Sequence, residues 1–302
     1  MTTNEQAIDV WSHDTRLVGT VALPPTGGPH PAALLLSGSG PLDRDSNTAK
    51  MRLDVSKSIA AGLLSLGIAS LRYDKRGVGA SSGDYLSAGF DDETADAHAA
   101  LDALRAHPAV DADRVIAIGH SAGATVAMRL VRSSTPPSGY VFLAGTAMTG
   151  QQVMEWQTHR IAATLPGPRR VRARRFERRQ ARHRALLLRS TTATARLAWV
   201  RLNAHWYREY MVYDPTEVLS IIDRPVLAIT GAKDIQVDPD DVARIGPIVS
   251  GGFDGDVPAD LTHVLRRDPA PPSLSAYRKQ FRQPVDPWVV DRVADWARSH
   301  LA

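Results

Sequence analysis

The sequence predicts an α/β fold: a mostly parallel sheet flanked by helices and interrupted by a helical insertion. Three observations predict it. Short apolar runs alternate with segments of helical spacing as far as Gly145. That alternation stops between Thr149 and Ile222. It resumes at Pro225-Val226-Leu227-Ala228-Ile229-Thr230. Parallel strands need long crossovers, which helices supply, so the alternation places helices on both faces of one sheet. The organisation that follows is a core over 1–148, an Arg-rich helical lid over 149–222 and a return to the core over 223–302.

Each element has its own signal. Ile8 to His13 and Arg16 to Leu23 read as a hairpin turning at His13-Asp14, with Pro24-Pro25 ending it. Ala32 to Leu36 is an apolar run between Pro31 and a glycine-rich loop, the mark of a buried strand. Leu53 to Leu66 has helical spacing and stops at Gly67, suited to the residue after a helix end. Strand Ile68 to Tyr73, helix Glu93 to Arg105, strand Val115 to Ile118, helix Ala122 to Val131 and strand Tyr140 to Leu143 follow. Within the insertion, Val153 to Ala163, Val171 to Leu188 and Ala193 to Met211 read as helices, and no strand is expected there. Pro166-Gly167-Pro168 separates the first two. The proline-rich stretch from Asp268 to Pro287 reads as loop, and Trp288 to Leu301 as a final helix.

Composition narrows the class. With 43% hydrophobic and 23% charged residues, disordered and fibrous chains are excluded. Cysteine is absent, which excludes disulfides, thiolate zinc sites and a cysteine nucleophile. Met1 to Gln6 lacks a basic start and apolar core, so no signal peptide is expected. No apolar run approaches the ~20 residues that span a bilayer. A cytoplasmic protein with no membrane span is the expectation.

Charge is unevenly spread. Between Arg160 and Arg201 lie 13 arginines and one acid, Glu177, a net +12. The remainder holds 23 basic and 31 acidic residues, a net −8. Four readings are open: a solvated face, docking on the acidic body or on a second subunit, recognition of an anionic substrate such as an acyl-CoA, and nucleic-acid binding. No stacking pattern or known motif accompanies the charge, so nucleic acid is not expected as a partner. Trp156, Trp199, Trp206, Tyr207 and Tyr210 either line an acyl pocket or pack the insertion on the core.

The candidate chemistry centres on Gly119-His120-Ser121-Ala122-Gly123. A serine hydroxyl attacks only when a base takes its proton and when it protrudes toward the substrate. A tight strand-to-helix turn with flanking glycines presents it, and the helix N-terminus favours developing negative charge. The bare pattern arises by chance in roughly one chain in ten of this length. The predicted strand before Ser121 and helix after it supply the needed context.

In sites of this kind the acid and then the histidine follow the serine along the chain. Strand Val226–Thr230 runs into Gly231-Ala232-Lys233-Asp234, which makes Asp234 the leading acid and Asp238 the alternative. Of ten histidines, His263 follows that acid and precedes the last helix, as the base requires. His120 adjoins Ser121 on the turn, where neighbouring side chains diverge. An oxyanion needs fixed donors. The backbone N–H of Ala122 is one; the loop from Ser37 to Asp45 supplies the other, at Ser39 or alternatively Gly40.

Several further motifs coincide with these. They are Ser37-Gly38-Ser39-Gly40-Pro41-Leu42-Asp43-Arg44-Asp45, Arg72-Tyr73-Asp74-Lys75-Arg76-Gly77-Val78-Gly79-Ala80-Ser81, Tyr213-Asp214-Pro215, Gly231-Ala232-Lys233-Asp234-Ile235-Gln236-Val237 and Thr262-His263-Val264-Leu265. On these the chain resembles bacterial α/β-hydrolases described as esterases, or as dipeptidyl aminopeptidase-like or acyl-CoA thioesterase-like hydrolases. The resemblance spans the chain. It implies the α/β-hydrolase fold, the triad Ser121, His263 and Asp234, and no metal or organic cofactor. Two departures stand out. Ser37 occupies the place of a histidine thought to brace the oxyanion loop, and the insertion from Val153 to Met211 follows no familiar lid.

The expected activity is hydrolysis of carboxylic esters of small to medium acyl groups through an acyl-enzyme. Thioesterase and aminopeptidase chemistry are the neighbouring alternatives. A non-catalytic binding module on the same fold is the alternative of another class.

Overall fold

Residues 4–25, 27–165, 169–197 and 199–302 are described by a computed structural model. Strands Asn4–Ser12 (β1) and Thr15–Leu23 (β2) pair antiparallel, with His13 at φ 50 in the turn between them. His30–Leu36 (β3) leads to a short hairpin, Asn47–Thr48 (β4) and Met51–Arg52 (β5). Helix Val55–Ser65 (α1) ends before Gly67, whose φ of 78 favours glycine. Ala69–Tyr73 (β6), Phe90–Arg105 (α2), Val110–His120 (β7), Ala122–Arg129 (α3) and Tyr140–Leu143 (β8) complete the first alternation.

The segment before the sheet resumes holds Gly150–Thr164 (α4), Arg169–Arg189 (α5), Thr194–Leu197 (β9), Val200–Asn203 (β10), Ala204–Val212 (α6) and Thr216–Leu219 (α7). Val226–Ile229 (β11), Asp241–Ile245 (α8), Phe253–Asp256 (β12), Leu274–Gln280 (α9) and Pro287–His300 (α10) follow.

Eight strands form one sheet in the order β1-β2-β6-β3-β7-β8-β11-β12. From β6 to β12 all neighbours are parallel. Strands β6, β8 and β11 are buried along their length, and β7 from Val115 to His120, because both faces are covered. The period-two alternation divides the core. Leu34, Leu36 and Ala117 face one apolar cluster with α2 and α3. Ala33, Leu35, Ile116 and Ile118 face the other, with α1 and α10.

Three expectations are corrected. Ala193 to Met211 is not one helix: β9 and β10 pair as a hairpin over Thr194 to Asn203, and the helix starts at Ala204. Thr194 and Val200 favour extended backbone, and the Asn203 side chain caps α6 by accepting from the Trp206 N–H at 2.9 Å. The stretch from Asp268 to Pro287 is not all loop, since Ser273 caps α9 and Tyr277 is buried there. The edge strand β12 carries no strand signal in the sequence, because Phe253-Asp254-Gly255-Asp256 is mostly polar and its two middle residues are exposed. The expected break at Pro166-Gly167-Pro168 lies outside the described residues.

Candidate active site

Strand β7 ends at His120 and α3 begins at Ala122, so Ser121 alone makes the turn. Its φ of 55 and ψ of −124 form a strained conformation for a residue with a Cβ. The turn is pinned where the Ser121 N–H donates to the Leu143 carbonyl at 2.8 Å. Both flanking glycines are forced by close backbone contact. A Cβ on Gly119 would lie 2.2 Å from the Gly123 carbonyl oxygen, and one on Gly123 would lie 2.3 Å from that of Leu36.

The loop after β11 places Asp234 out of contact with solvent. Its Oδ1 accepts the N–H groups of Gln236 and Val237 at 2.7 and 2.9 Å. Its Oδ2 accepts from His263 Nδ1 at 2.8 Å. A carboxylate that fixes the proton on Nδ1 leaves the Nε2 lone pair free. The alternative acid, Asp238, is instead paired with Arg244 at 2.9 Å.

His120 turns away from proton transfer. Its Nε2 donates to the His263 carbonyl oxygen at 2.9 Å, and the two rings lie 5.1 Å apart. Burial, and then the neighbouring His263, push its pKa down to about 3. His120 is thus a neutral brace for the His263 backbone.

The loop from Ser37 to Asp45 is held from below. Asp43 Oδ1 accepts the N–H groups of Asp45 and Asn47 at 3.0 and 2.8 Å. Arg44 makes a forked pair with Asp74 at 3.0 and 2.7 Å. Burial raises the Asp74 carboxyl, but Arg44 and the N–H groups of Ala80 and Arg44 outweigh it and hold it below its ordinary value. Gly79 must lack a Cβ because Asp74 Oδ2 would lie 2.3 Å from it. The Asp74 motif is therefore a cradle for the loop.

Sequence reasoning did not assign Lys75. Its Nζ donates to the Gly38 carbonyl at 2.7 Å and to Glu93 Oε1 at 2.6 Å. Glu93 Oε2 in turn accepts from Trp206 Nε1 at 2.9 Å. Lys75 braces the loop at the residue next to Ser37, where the resemblance places a histidine. The sequence carries no signal for this, because the contacts join Lys75 to residues 37 and 18 positions away.

Two cavities meet at Ser121. One of about 140 Å³ is bordered by Ser121, Ala122 and Ser39, and walled by Val153, Met154, Trp206, Tyr207 and Tyr210. The other, of about 240 Å³, is bordered by Ser121, Ser39 and His263. Among the described residues, the backbone N–H groups of Ala122 and Ser39 have no hydrogen-bond partner. Ala122 opens α3, where backbone N–H groups are necessarily unpaired within the helix. Of the insertion's other aromatics, Trp156 packs under Arg160, 5.4 Å from its guanidinium, and Trp199 is exposed.

Such a serine, on a strained turn between a parallel strand and a helix in a sheet of this order, defines an α/β-hydrolase of the serine hydrolase class. The chain belongs to the serine aminopeptidase family S33, whose model matches residues 53–245. The esterase EstD of Thermotoga maritima is 27% identical over 288 residues, which cover 93% of this chain and 65% of that protein. Est1E of Butyrivibrio proteoclasticus, solved with ferulic acid bound, superposes with a TM-score of 0.68 at 14% identity, covering 98% of this chain and 99% of the other. The Pyrococcus furiosus esterase Pf2001 gives 0.65 at 17% identity, covering 100% and 93%. At these identities the two structures share the fold. Among the described residues no helix is long and apolar enough to cross a membrane.

Proposed function

We propose that the protein is a carboxylesterase that cleaves esters of small to medium acyl groups through Ser121, His263 and Asp234. His263 Nε2 takes the Ser121 proton as Oγ attacks the carbonyl, and Asp234 holds the imidazole and its developing charge. The N–H groups of Ala122 and Ser39 receive the oxyanion. His263 then protonates the leaving alcohol, and a water it activates releases the acid from the acyl-enzyme.

The observation that carries this reading is the cavity bordered by both Ser121 and His263, with Asp234 2.8 Å behind the imidazole. Residues 149–222 act in this reading as a lid, since Val153, Met154 and Trp206 wall the cavity beside Ser121. The family name raises the aminopeptidase alternative. An aminopeptidase needs a carboxylate to hold the substrate ammonium, and among the described residues no Asp or Glu lines either cavity. No arginine or lysine lines them either, which argues against recognition of a polyanionic acyl carrier there.

The test is a panel of a nitrophenyl ester, an acyl-CoA and an aminoacyl anilide, each run with wild type and Ser121→Ala. Ester turnover that vanishes in the variant supports the proposal. Equal slow release by both proteins, or a fluorophosphonate that labels another residue, overturns it.

A further inference from the structure

We propose that the two cavities divide the substrate, the smaller taking the acyl group and the larger taking the alcohol. The substrates are then esters of an acyl group no larger than about one ring with a bulkier, uncharged, apolar alcohol. This rests on the carboxylesterase reading above and adds which side of the ester each wall measures.

The argument starts from the reacting carbon. Once Ser121 Oγ is bonded and the oxyanion occupies the Ala122 and Ser39 amides, two substituents remain. One is the leaving oxygen, which must receive its proton from His263. It therefore lies on the His263 side. The 240 Å³ cavity is bordered by His263, and the 140 Å³ cavity is not. Of the two proposed oxyanion donors Ser39 borders both cavities and Ala122 only the smaller, so the acyl chain departs past Ala122 into it.

The walls set the chemistry. Trp206, Tyr207 and Tyr210 wall the smaller cavity, which Thr146 and Gln157 also line. Trp206 stacks on Tyr210 with ring centroids 4.6 Å apart, meets Phe90 edge-on at 5.7 Å and is tied to Glu93. A wall fixed in this way cannot yield cheaply to a longer chain. An enclosed apolar cavity of roughly 150 Å³ holds one benzene ring, and the 140 Å³ site is of that size. The larger cavity is walled by Leu42, Met51, Leu53, Leu274, Tyr277 and Phe281. Among the described residues no Asp, Glu, Lys or Arg lines it, so it suits an apolar alcohol. Gln236 borders both cavities and hydrogen-bonds Gln157 at 3.2 Å, a polar seam between the two.

The experiment measures kcat/KM for nitrophenyl acetate, butyrate and octanoate, and for acetate esters of methanol, hexanol and 1-naphthol. Met154→Trp and Leu274→Trp narrow the smaller and larger cavities respectively. Met154→Trp is expected to lower the butyrate-to-acetate ratio about tenfold or more, the scale of excluding a methylene or two from a fitted pocket. Leu274→Trp is expected to lower the naphthyl-to-methyl ratio by a similar factor. Each variant should leave the other series' ratio within about twofold, well inside that scale. Wild-type rates of fluorophosphonate labelling at Ser121 show that each variant retains a folded site. If Met154→Trp changes the alcohol series instead, or both variants change both series, the division is wrong although the esterase reading stands. If wild type neither turns over any ester nor labels at Ser121, the esterase reading itself fails, and the division with it.

Discussion

Replacing Lys75 by methionine separates a structural salt bridge from a brace of the proposed oxyanion loop. The Lys75 and Glu93 side chains are 9% and 11% exposed, and their charged atoms lie 2.6 Å apart. Methionine keeps most of the lysine stem but strands a buried carboxylate, which costs about 3–5 kcal/mol. At about 2.1 cal/mol/K per residue, the unfolding entropy of a 302-residue chain is roughly 0.6 kcal/mol/K. The melting temperature should therefore fall by roughly 5–8 °C.

Adding Glu93→Gln removes the stranded charge while leaving an acceptor for Trp206 Nε1, so the double variant should regain most of that loss. Its kcat should not recover, because the Gly38 carbonyl still lacks the donor that sets the Ser39 amide. Losing one oxyanion donor costs about 10²–10³ in kcat. A displaced donor should cost less, about 10- to 100-fold, with KM nearly unchanged. Lys75→Arg should recover part of kcat by restoring a donor to Gly38. Thermal melts and nitrophenyl butyrate kinetics measure both quantities. A double variant whose kcat returns together with its melting temperature would refute the positioning role.

Two further outcomes follow from the site. Asp234→Asn should lower kcat by about 10⁴ while substrate binding is kept, because the amide favours the wrong imidazole tautomer; a loss below tenfold in steady-state kinetics counts against Asp234 as the acid. His120 stays neutral in the fold down to about pH 3 but takes up a proton in the unfolded chain near its ordinary value of 6.5. The unfolded state thus binds more protons across that window. The stability this residue contributes is intact above pH 6.5 and falls by about 1.4 kcal/mol per pH unit below it. His120→Gln keeps a donor toward the His263 carbonyl and removes the titration. Urea melts at pH 7 and pH 5 should therefore show wild type losing about 2 kcal/mol more than the variant; equal losses would mean that His120 is not held neutral.

Much of this architecture was legible because its signals are local. The turn at Ser121 is written in five consecutive residues, and the strand and helix around it in their flanks. The hairpin at β9 and β10 was hidden because the neighbouring helical spacing overran Thr194 to Asn203, while the Asn203 side chain that starts α6 also donates to Tyr85 and Ala88, residues more than a hundred positions away. Helix α9 was masked by the prolines on either side of it.

The sequence by itself determined the alternation of the core's central strands and helices, the serine on its turn, and the candidate acids and histidine that follow it, since each depends on neighbours within a few residues. Only the tertiary structure decided that Asp234 rather than Asp238 meets His263, with Asp238 drawn off by Arg244. It alone decided that Lys75 holds the loop beside Ser37, and that Trp206, Tyr207 and Tyr210 wall a cavity at Ser121. These are contacts between segments far apart in the chain, and their geometry exists only once the sheet has brought those segments together.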